Sequence, residues 1–408
     1  MCPAATSPVK SASPVEFVEG RLLDRNRLSG PFFARHSEAL AKASQRMAER
    51  FRRGGRLLAF GRGPYVTDAQ HVEVEFVHPV LVGKCALPAL DLSQSYRESL
   101  SAILRPDDIV MAFGPPEGDG ALAPLLAWAA AQGAQTFALP GTGADFSIDL
   151  WDVDPFVHQE LVEILYHTLW ETVHVFLEHR ALGHDAGPAG FLYPFLGRDR
   201  QNTDSVLAEV AASIRSKAEE DERLRVRVAR EEGEAVARAT LALHERLRGG
   251  ASVILFGNGG SATDANDWAL DCVASPKGHR AIPALSLASA PASLSAVAND
   301  IGAEELFRRQ LIAHARAEDV AIAISTSGGS RNVIAALDEA RKRDLLTIAL
   351  LGHDGGEAVR RGAADHAIVV RCDYVPRVQE VQASIYHVML DLLDALRRGD
   401  VLDHVPGS

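Results

Sequence analysis

Residues 251–274, ASVILFGNGGSATDANDWALDCVA, decide the fold. The short apolar run Val253 to Phe256 reads as a buried strand, Gly257-Asn258-Gly259-Gly260 as a tight turn, and Ser261 onward as the first turn of a helix. Strand, glycine turn and helix N-terminus together make an anion site. The free N–H groups of the first helical turn converge there, the helix dipole favours negative charge, and glycines let a phosphate reach the backbone. Ser261 stands where its hydroxyl adds a donor. An ordinary strand-to-helix turn reads the same way in isolation, so the neighbouring sequence has to choose between the two.

The chain repeats itself. RLLAFGRGPYVTDAQHVEVEF, from Arg56 to Phe76, is strand, glycine turn and helix again. Setting Gly61 on Gly257 aligns Phe60 with Phe256, Gly63 with Gly259, Asp68 with Asp264 and Ala69 with Ala265. ALPALDL (Ala86 to Leu92) mirrors AIPALSL (Ala281 to Leu287), DDIVMAF before Gly114 mirrors EDVAIAI before Ser325, and EILYHTLWE mirrors ASIYHVMLD, pairing His167 with His387. Collinear self-similarity of this kind means two copies of one domain. Short apolar strands alternating with helical segments predict an α/β fold, a parallel sheet flanked by helices in each copy. The expected organisation is a disordered, extended lead-in over 1–29, a first domain over 30–180, a Gly/Pro/Asp-rich linker over 181–204 and a second domain over 205–408. Residues 205–248 read most simply as two helices.

Composition narrows the function. A chain of 408 residues is comfortable for two domains with cores of their own. A formal net charge of −12 and the lack of a Lys/Arg stripe argue against nucleic-acid binding. No apolar segment is long enough to span a bilayer, and MCPAATSPVKSASP lacks an apolar signal core, so a cytoplasmic location is expected. Cys2, Cys85, Cys272 and Cys372 are scattered without metal-ligand spacing and read as reduced, structural cysteines.

In the second copy the strand Ala321 to Ile324 runs into Ser325-Thr326-Ser327-Gly328-Gly329-Ser330 and then the helical RNVIAALDEARKR. One helix cap needs one hydroxyl, whereas four and two glycines make a second anion cradle, and loops of this kind meet at the C-terminal edge of a parallel sheet. FGNGGSATDA, ISTSGGSRNV, AVANDIGAEELFRRQ and VPRVQEVQASIYH together resemble the sugar isomerase (SIS) domain, and within it the phosphoheptose isomerases, over nearly the whole second half. The resemblance implies two tandem SIS domains, doubly wound and flavodoxin-like. It also implies a sugar phosphate ligand held by Asn258, Ser261, Ser325, Thr326, Ser327 and Ser330, with Gln379 and His387 beside it.

The first copy has lost both cradles. GRGPYV stands for GNGGSA and GPPEGDG for STSGGSR, so prolines delete N–H donors and Glu117 and Asp119 repel a phosphate. It keeps DAQHVEVEF, similar to the DAQHxxxE run of the phosphoheptose isomerases. His71 and Glu75 share one helix face, as do Gln159 and His167 on the last helix of the copy, with Glu163 between them. In the resembled family these four positions bind a divalent metal, zinc, and Glu75 and His167 fall on the proton-transfer groups. His158, His174 and His179 read as surface or packing histidines. The second copy has Asp267 and Asp271 where the first has His71 and Glu75, while Gln379 and His387 remain. A division of labour follows, with phosphate capture in the second half and acid/base chemistry in the first. Either Gln159 and His167 or Gln379 and His387 complete the metal set, depending on how the halves pack.

The resemblance therefore implies a metal-dependent aldose-ketose isomerase of a sugar phosphate, sedoheptulose 7-phosphate in the resembled family. The alternative is a sugar-phosphate-binding regulatory or scaffold protein that kept the fold without turnover. Because one chain mimics a pair of single domains, a homodimer rebuilding the family's tetramer is expected, with neither nucleic acid nor membrane as partner.

Overall fold

The computed structural model describes residues 12–79, 84–181 and 203–405. The first half carries β1 (Leu57–Gly61), β2 (Ala89–Asp91), β3 (Ile109–Phe113), β4 (Gln135–Leu139) and β5 (Phe146–Ser147). Its helices are α1 (Pro14–Arg52), α2 (Val66–Val77), α3 (Tyr96–Ile103), α4 (Ala123–Ala131) and α5 (Pro155–Ala181). Helix α6 (Thr203–Arg248) leads into β6 (Val253–Phe256), β7 (Ala284–Ser286), β8 (Val320–Ser325), β9 (Leu346–Gly352) and β10 (His366–Val370). Around these strands lie α7 (Gly260–Val273), α8 (Pro291–Asp300), α9 (Leu306–His314), α10 (Arg331–Lys342), α11 (Gly356–Arg360) and α12 (Val375–Arg398).

Each half is a five-stranded sheet whose paired strands are parallel, in the order β2-β1-β3-β4-β5 and β7-β6-β8-β9-β10. Strand n of the first sheet corresponds to strand n+5 of the second, so the duplication read from the sequence is a duplication of topology. The inner strands are buried along their length, which is why they read as continuous apolar runs. The order reverses between β6 and β8, and the loops after these two strands are the two hydroxyl- and glycine-rich segments. Open α/β sheets bind ligands at that crevice.

Residues 14–29, expected as part of an extended lead-in, are instead the first turns of α1. Ser13 caps the helix through a capping box with Glu16, and Pro14 sits at its first position. The 181–204 linker lies almost wholly outside the described residues. The two helices expected over 205–248 are one helix of 46 residues. Both long helices cross the seam between the halves. Val18 and Leu22 of α1 pack into the core of the second sheet with Val253 and Ile322, whereas Phe33, Leu40 and Met47 pack into the core of the first. Helix α6 does the reverse, with Val210 and Ile214 in the first core and Val228 and Val236 in the second. At about 1.5 Å per residue each is long enough to reach both. Cys85, Cys272 and Cys372 are free thiols, and no described helix is long and apolar enough to cross a membrane.

His158 and His174 are buried packing residues, and the side chain of His179 lies outside the described set. His158 has its tautomer fixed from both sides. Its Nδ1 accepts from the Trp151 indole N–H at 3.1 Å, and its Nε2–H donates to the Gly114 carbonyl at 3.0 Å. Burial, against the Gly114 hydrogen bond, lowers it to about 4. An unfolded chain titrates near 6.5, so below that pH the unfolded state takes the proton first. The contribution of His158 is whole above pH 6.5 and is lost as pH falls towards 4, by about 3 kcal/mol. Denaturant titrations of wild type and His158→Gln should show their stability difference shrinking by that amount between pH 7 and 4. A difference independent of pH contradicts the assignment.

Candidate functional site

Helices α2 and α5 of the first half meet α7 and α12 of the second along the seam. Side chains from all four converge there in two clusters related by the duplication.

The first cluster joins His71, Glu75, His167 and Gln379. The Nε2 atoms of His71 and His167 are 3.2 Å apart, and Gln379 Nε2 lies 3.4 Å from His71 Nε2. Glu75 Oε1 lies 3.9 Å from the same nitrogen, and Glu163 closes the group beside the two imidazoles. All five side chains are buried. The outer ring nitrogens face carboxylates: His167 Nδ1 is 3.0 Å from Glu380 Oε1, and His71 Nδ1 is 3.5 Å from Asp264 Oδ1. The Glu380 carboxylate holds the N–H on His167 Nδ1, which turns the His167 Nε2 lone pair inward at His71. At that separation the lone pair is met either by an N–H on His71 Nε2 or by a cation that both nitrogens ligate. Among the described residues, Glu75 Oε2 and Gln379 Oε1 are buried without a hydrogen-bond partner, and a half-turn of the Gln379 amide places its oxygen where its nitrogen stands. Two imidazole nitrogens, one carboxylate and one amide oxygen, each held from behind, suit a zinc-like divalent metal.

Electrostatics agree with that chemistry. Burial, then His167, holds His71 well below the usual imidazole range. Burial, then Arg377, brings His167 down to about 3, so both rings are neutral, the form a metal ligand needs. Burial, then the charge of Glu380, pushes Glu75 up to about 8, near the pH where a carboxylate serves best as a proton carrier.

The second cluster joins Asp267, Asp271, His387 and Gln159. His387 Nε2 lies 3.2 Å from Asp271 Oδ2 and 3.8 Å from Asp267 Oδ2, and Gln159 Nε2 donates to Asp267 Oδ1 at 3.3 Å. Thr67 and Tyr386 hydroxyls donate to Asp267 at 2.5 and 2.8 Å. His387 Nδ1 is 3.0 Å from Glu160 Oε1, the counterpart of the His167–Glu380 contact. Burial opposes charge on His387, but its bonds to Asp271 and Glu160 prevail and raise it to about 9.

The cradle borders the first cluster. A Cβ on Gly260 would lie 1.9 Å from Gln379 Nε2 and 2.9 Å from His71 Nε2, so the glycine turn at the start of α7 touches the candidate ligands. Ser261 is buried in the first turn of α7. Reciprocal amide bonds between Asn258 and Asn332, 2.8 and 2.9 Å, tie this turn to the first turn of α10. Within the loop after β8 Ser325 accepts from Gly328 N–H and Ser327 from Gly329 N–H, while Ser330, the N-cap of α10, makes no side-chain cap bond. Thr326 is half-buried and Ser327 exposed. In the first half the corresponding turn is filled: Tyr65 is buried against His158, and Asp119 pairs with Arg62. Gly260→Ala should push Gln379 aside, because the end of that side chain can move, and leave the fold intact. Metal affinity is expected to fall about tenfold or more with an almost unchanged melting temperature. Unchanged affinity, read by a competing chelator dye, contradicts this placement.

The halves thus contribute crosswise. Gln159, expected beside His71, stands in the second cluster, and Gln379 replaces it. His387, expected beside the substrate, also belongs to the second cluster. The reason is the crossing of α5 and α12, since residues eight apart on one helix reach to either side of the seam. Glu380, Glu160 and Asp264, which aim the imidazoles, escaped sequence reasoning. Their signal is the Gln-Glu pair repeated in HQELVEILYH and VQEVQASIYH, which aligns Glu160 with Glu380.

The SIS-domain family model matches residues 218–352. A phosphoheptose isomerase of Nitratiruptor sp. is 42% identical over 157 residues, covering 38% of this chain and 83% of that protein. The phosphoheptose isomerase of a Geobacter sp. is 36% identical over 190 residues, covering 46% of this chain and 96% of that protein. Over 93% of this chain and 96% of the other, the fold also matches the C-terminal domain of a glucosamine-fructose-6-phosphate aminotransferase from Francisella tularensis, with a TM-score of 0.58 at 9% identity.

Proposed function

We propose, from the premise that the chain belongs to the SIS-domain family and is a relative of the phosphoheptose isomerases, that it is a sugar-phosphate isomerase. The substrate would be sedoheptulose 7-phosphate and the product an aldoheptose 7-phosphate. One observation carries the reading most directly: Gly260 joins the phosphate-type turn to His71 and Gln379, so a sugar held by its phosphate in that turn extends towards the buried acid/base groups. Asn258, Ser261, Ser325, Thr326, Ser327 and Ser330 would bind the phosphate and sugar hydroxyls. His71, Glu75, His167 and Gln379 would hold a divalent metal, zinc by donor type, which when bound polarises the sugar carbonyl. Glu75 would carry the proton between C1 and C2 through an enediol, and His167, braced by Glu380, would serve the oxygens. The site is composite, because neither half holds both the cradle and the imidazoles. Two chains would rebuild a four-domain assembly.

Purified protein with zinc should convert sedoheptulose 7-phosphate to an aldose phosphate, followed by NMR of the anomeric protons. Unchanged substrate with folded, metal-loaded protein favours a binding function instead. Ser330→Ala removes one hydroxyl that could donate to a charged ligand, so KM should rise about tenfold while kcat changes little. An unaltered KM removes Ser330 from the site.

A further inference from the structure

We propose that the Asp267, Asp271, His387 and Gln159 cluster is a second divalent-cation site, suited to an oxygen-preferring ion such as Mn2+. Ligand atoms of Asp267, Asp271 and His387 lie within 4.8 Å of one another, and all three residues are buried. Glu160, which takes up His387 Nδ1, is already matched by Arg25 at 2.9 Å and by the Ser384 hydroxyl at 2.7 Å. His387 Nε2 is left facing two carboxylates whose ion-pair partner among the described residues is that same ring. The positive charge between them is either a proton on that ring or a bound cation.

A proton on Nε2 would serve one oxygen, and the cluster presents more. Among the described residues, Asp271 Oδ1 and Gln159 Oε1 are buried without hydrogen-bond partners, and so is Asp68 Oδ2. Gln159 is 4% exposed and already reaches Asp267 through its nitrogen, so the same half-turn of the amide brings its oxygen to the carboxylates. A cavity of about 10 Å³, room for one water, lies between the two clusters, with Asp68, Gln159, Asp267 and His387 on one side and His71, Glu163 and Asp264 on the other. Oxygen donors converging from three helices are what a cation with several coordination positions satisfies and a proton does not. The donor set also differs from that of the twin cluster. One imidazole stands where the first cluster has two, beside carboxylates in both, which moves preference from zinc-like towards Mn2+-like ions.

Manganese counting tests this without any use of isomerase activity, so its outcome is separate from that of the proposed reaction. Protein stripped with a chelator is equilibrated with Mn2+ alone, and bound metal per chain is read by mass spectrometry and electron paramagnetic resonance. The double variant His71→Ala/His167→Ala, which lacks both imidazoles of the first cluster, should retain one Mn2+ per chain. Adding Asp271→Asn, or His387→Gln where the Asn variant does not show a native circular dichroism spectrum, should remove it. Absence of Mn2+ from the double variant overturns the proposal and leaves protonated His387 as the cation of the cluster. A bound Mn2+ that survives both further substitutions overturns it as well.

Discussion

Glu75→Gln is expected to lower kcat by about 10³-fold, within the range that general acid–base groups supply. The replacement is isosteric and keeps the side chain on the buried face of α2 beside His71, 3.9 Å away. It removes the one property the reaction needs, the capacity to take and return a proton. Stability should hold or rise, because burial already pushes the Glu75 carboxyl up to about 8 and an amide avoids that charge. KM should change little, since the cradle is untouched. Steady-state kinetics with metal content measured alongside separate loss of the proton carrier from loss of a ligand. A kcat within tenfold of wild type assigns the proton transfer elsewhere, with buried Glu163 as the next carboxyl to test.

On the proposed mechanism, stripping divalent metal with a chelator should lower turnover to a similar extent, about 10³-fold, as expected for loss of several kcal/mol of carbonyl polarisation. Zinc added to chelated wild-type protein should restore activity, and zinc added to His71→Ala should not. The two glutamines then discriminate. Gln379→Ala should weaken zinc at the first cluster by about 10- to 100-fold, whereas Gln159→Ala, whose side chain bonds Asp267, should weaken it far less. Equal effects of the two substitutions contradict the crosswise assignment.

Much of this was open to reading in the chain. The strand 253–256, the glycine turn and the hydroxyl-rich loop at 325–330 are local patterns, set by periodicity and by what a helix N-terminus demands, so they need no tertiary information. The aligned repeats showed two copies, and both sheets carry the same strand order. The start of α1 was legible too: Ser13-Pro14-Val15-Glu16 is a capping box, masked by the Pro- and Ser-rich composition around it. Helix α6 was harder, because a helix of 46 residues is stabilised by two successive partners, and its apolar face looks interrupted where it passes from one core to the other.

The sequence by itself determined the fold class, the duplication, the glycine- and hydroxyl-rich turns of the second half and the residue types that the proposed site draws on. Those follow from short-range spacing, which fixes the face of a helix or the end of a strand. Only the tertiary structure decided the membership of each cluster: His71, Glu75 and His167 with Gln379, and Asp267, Asp271 and His387 with Gln159. That choice depends on how α5 and α12 cross at the seam, a property of packing between two cores about 200 residues apart in the chain. Carboxylates from the opposite half, Glu380 and Glu160, then fix which nitrogen of each imidazole faces inward.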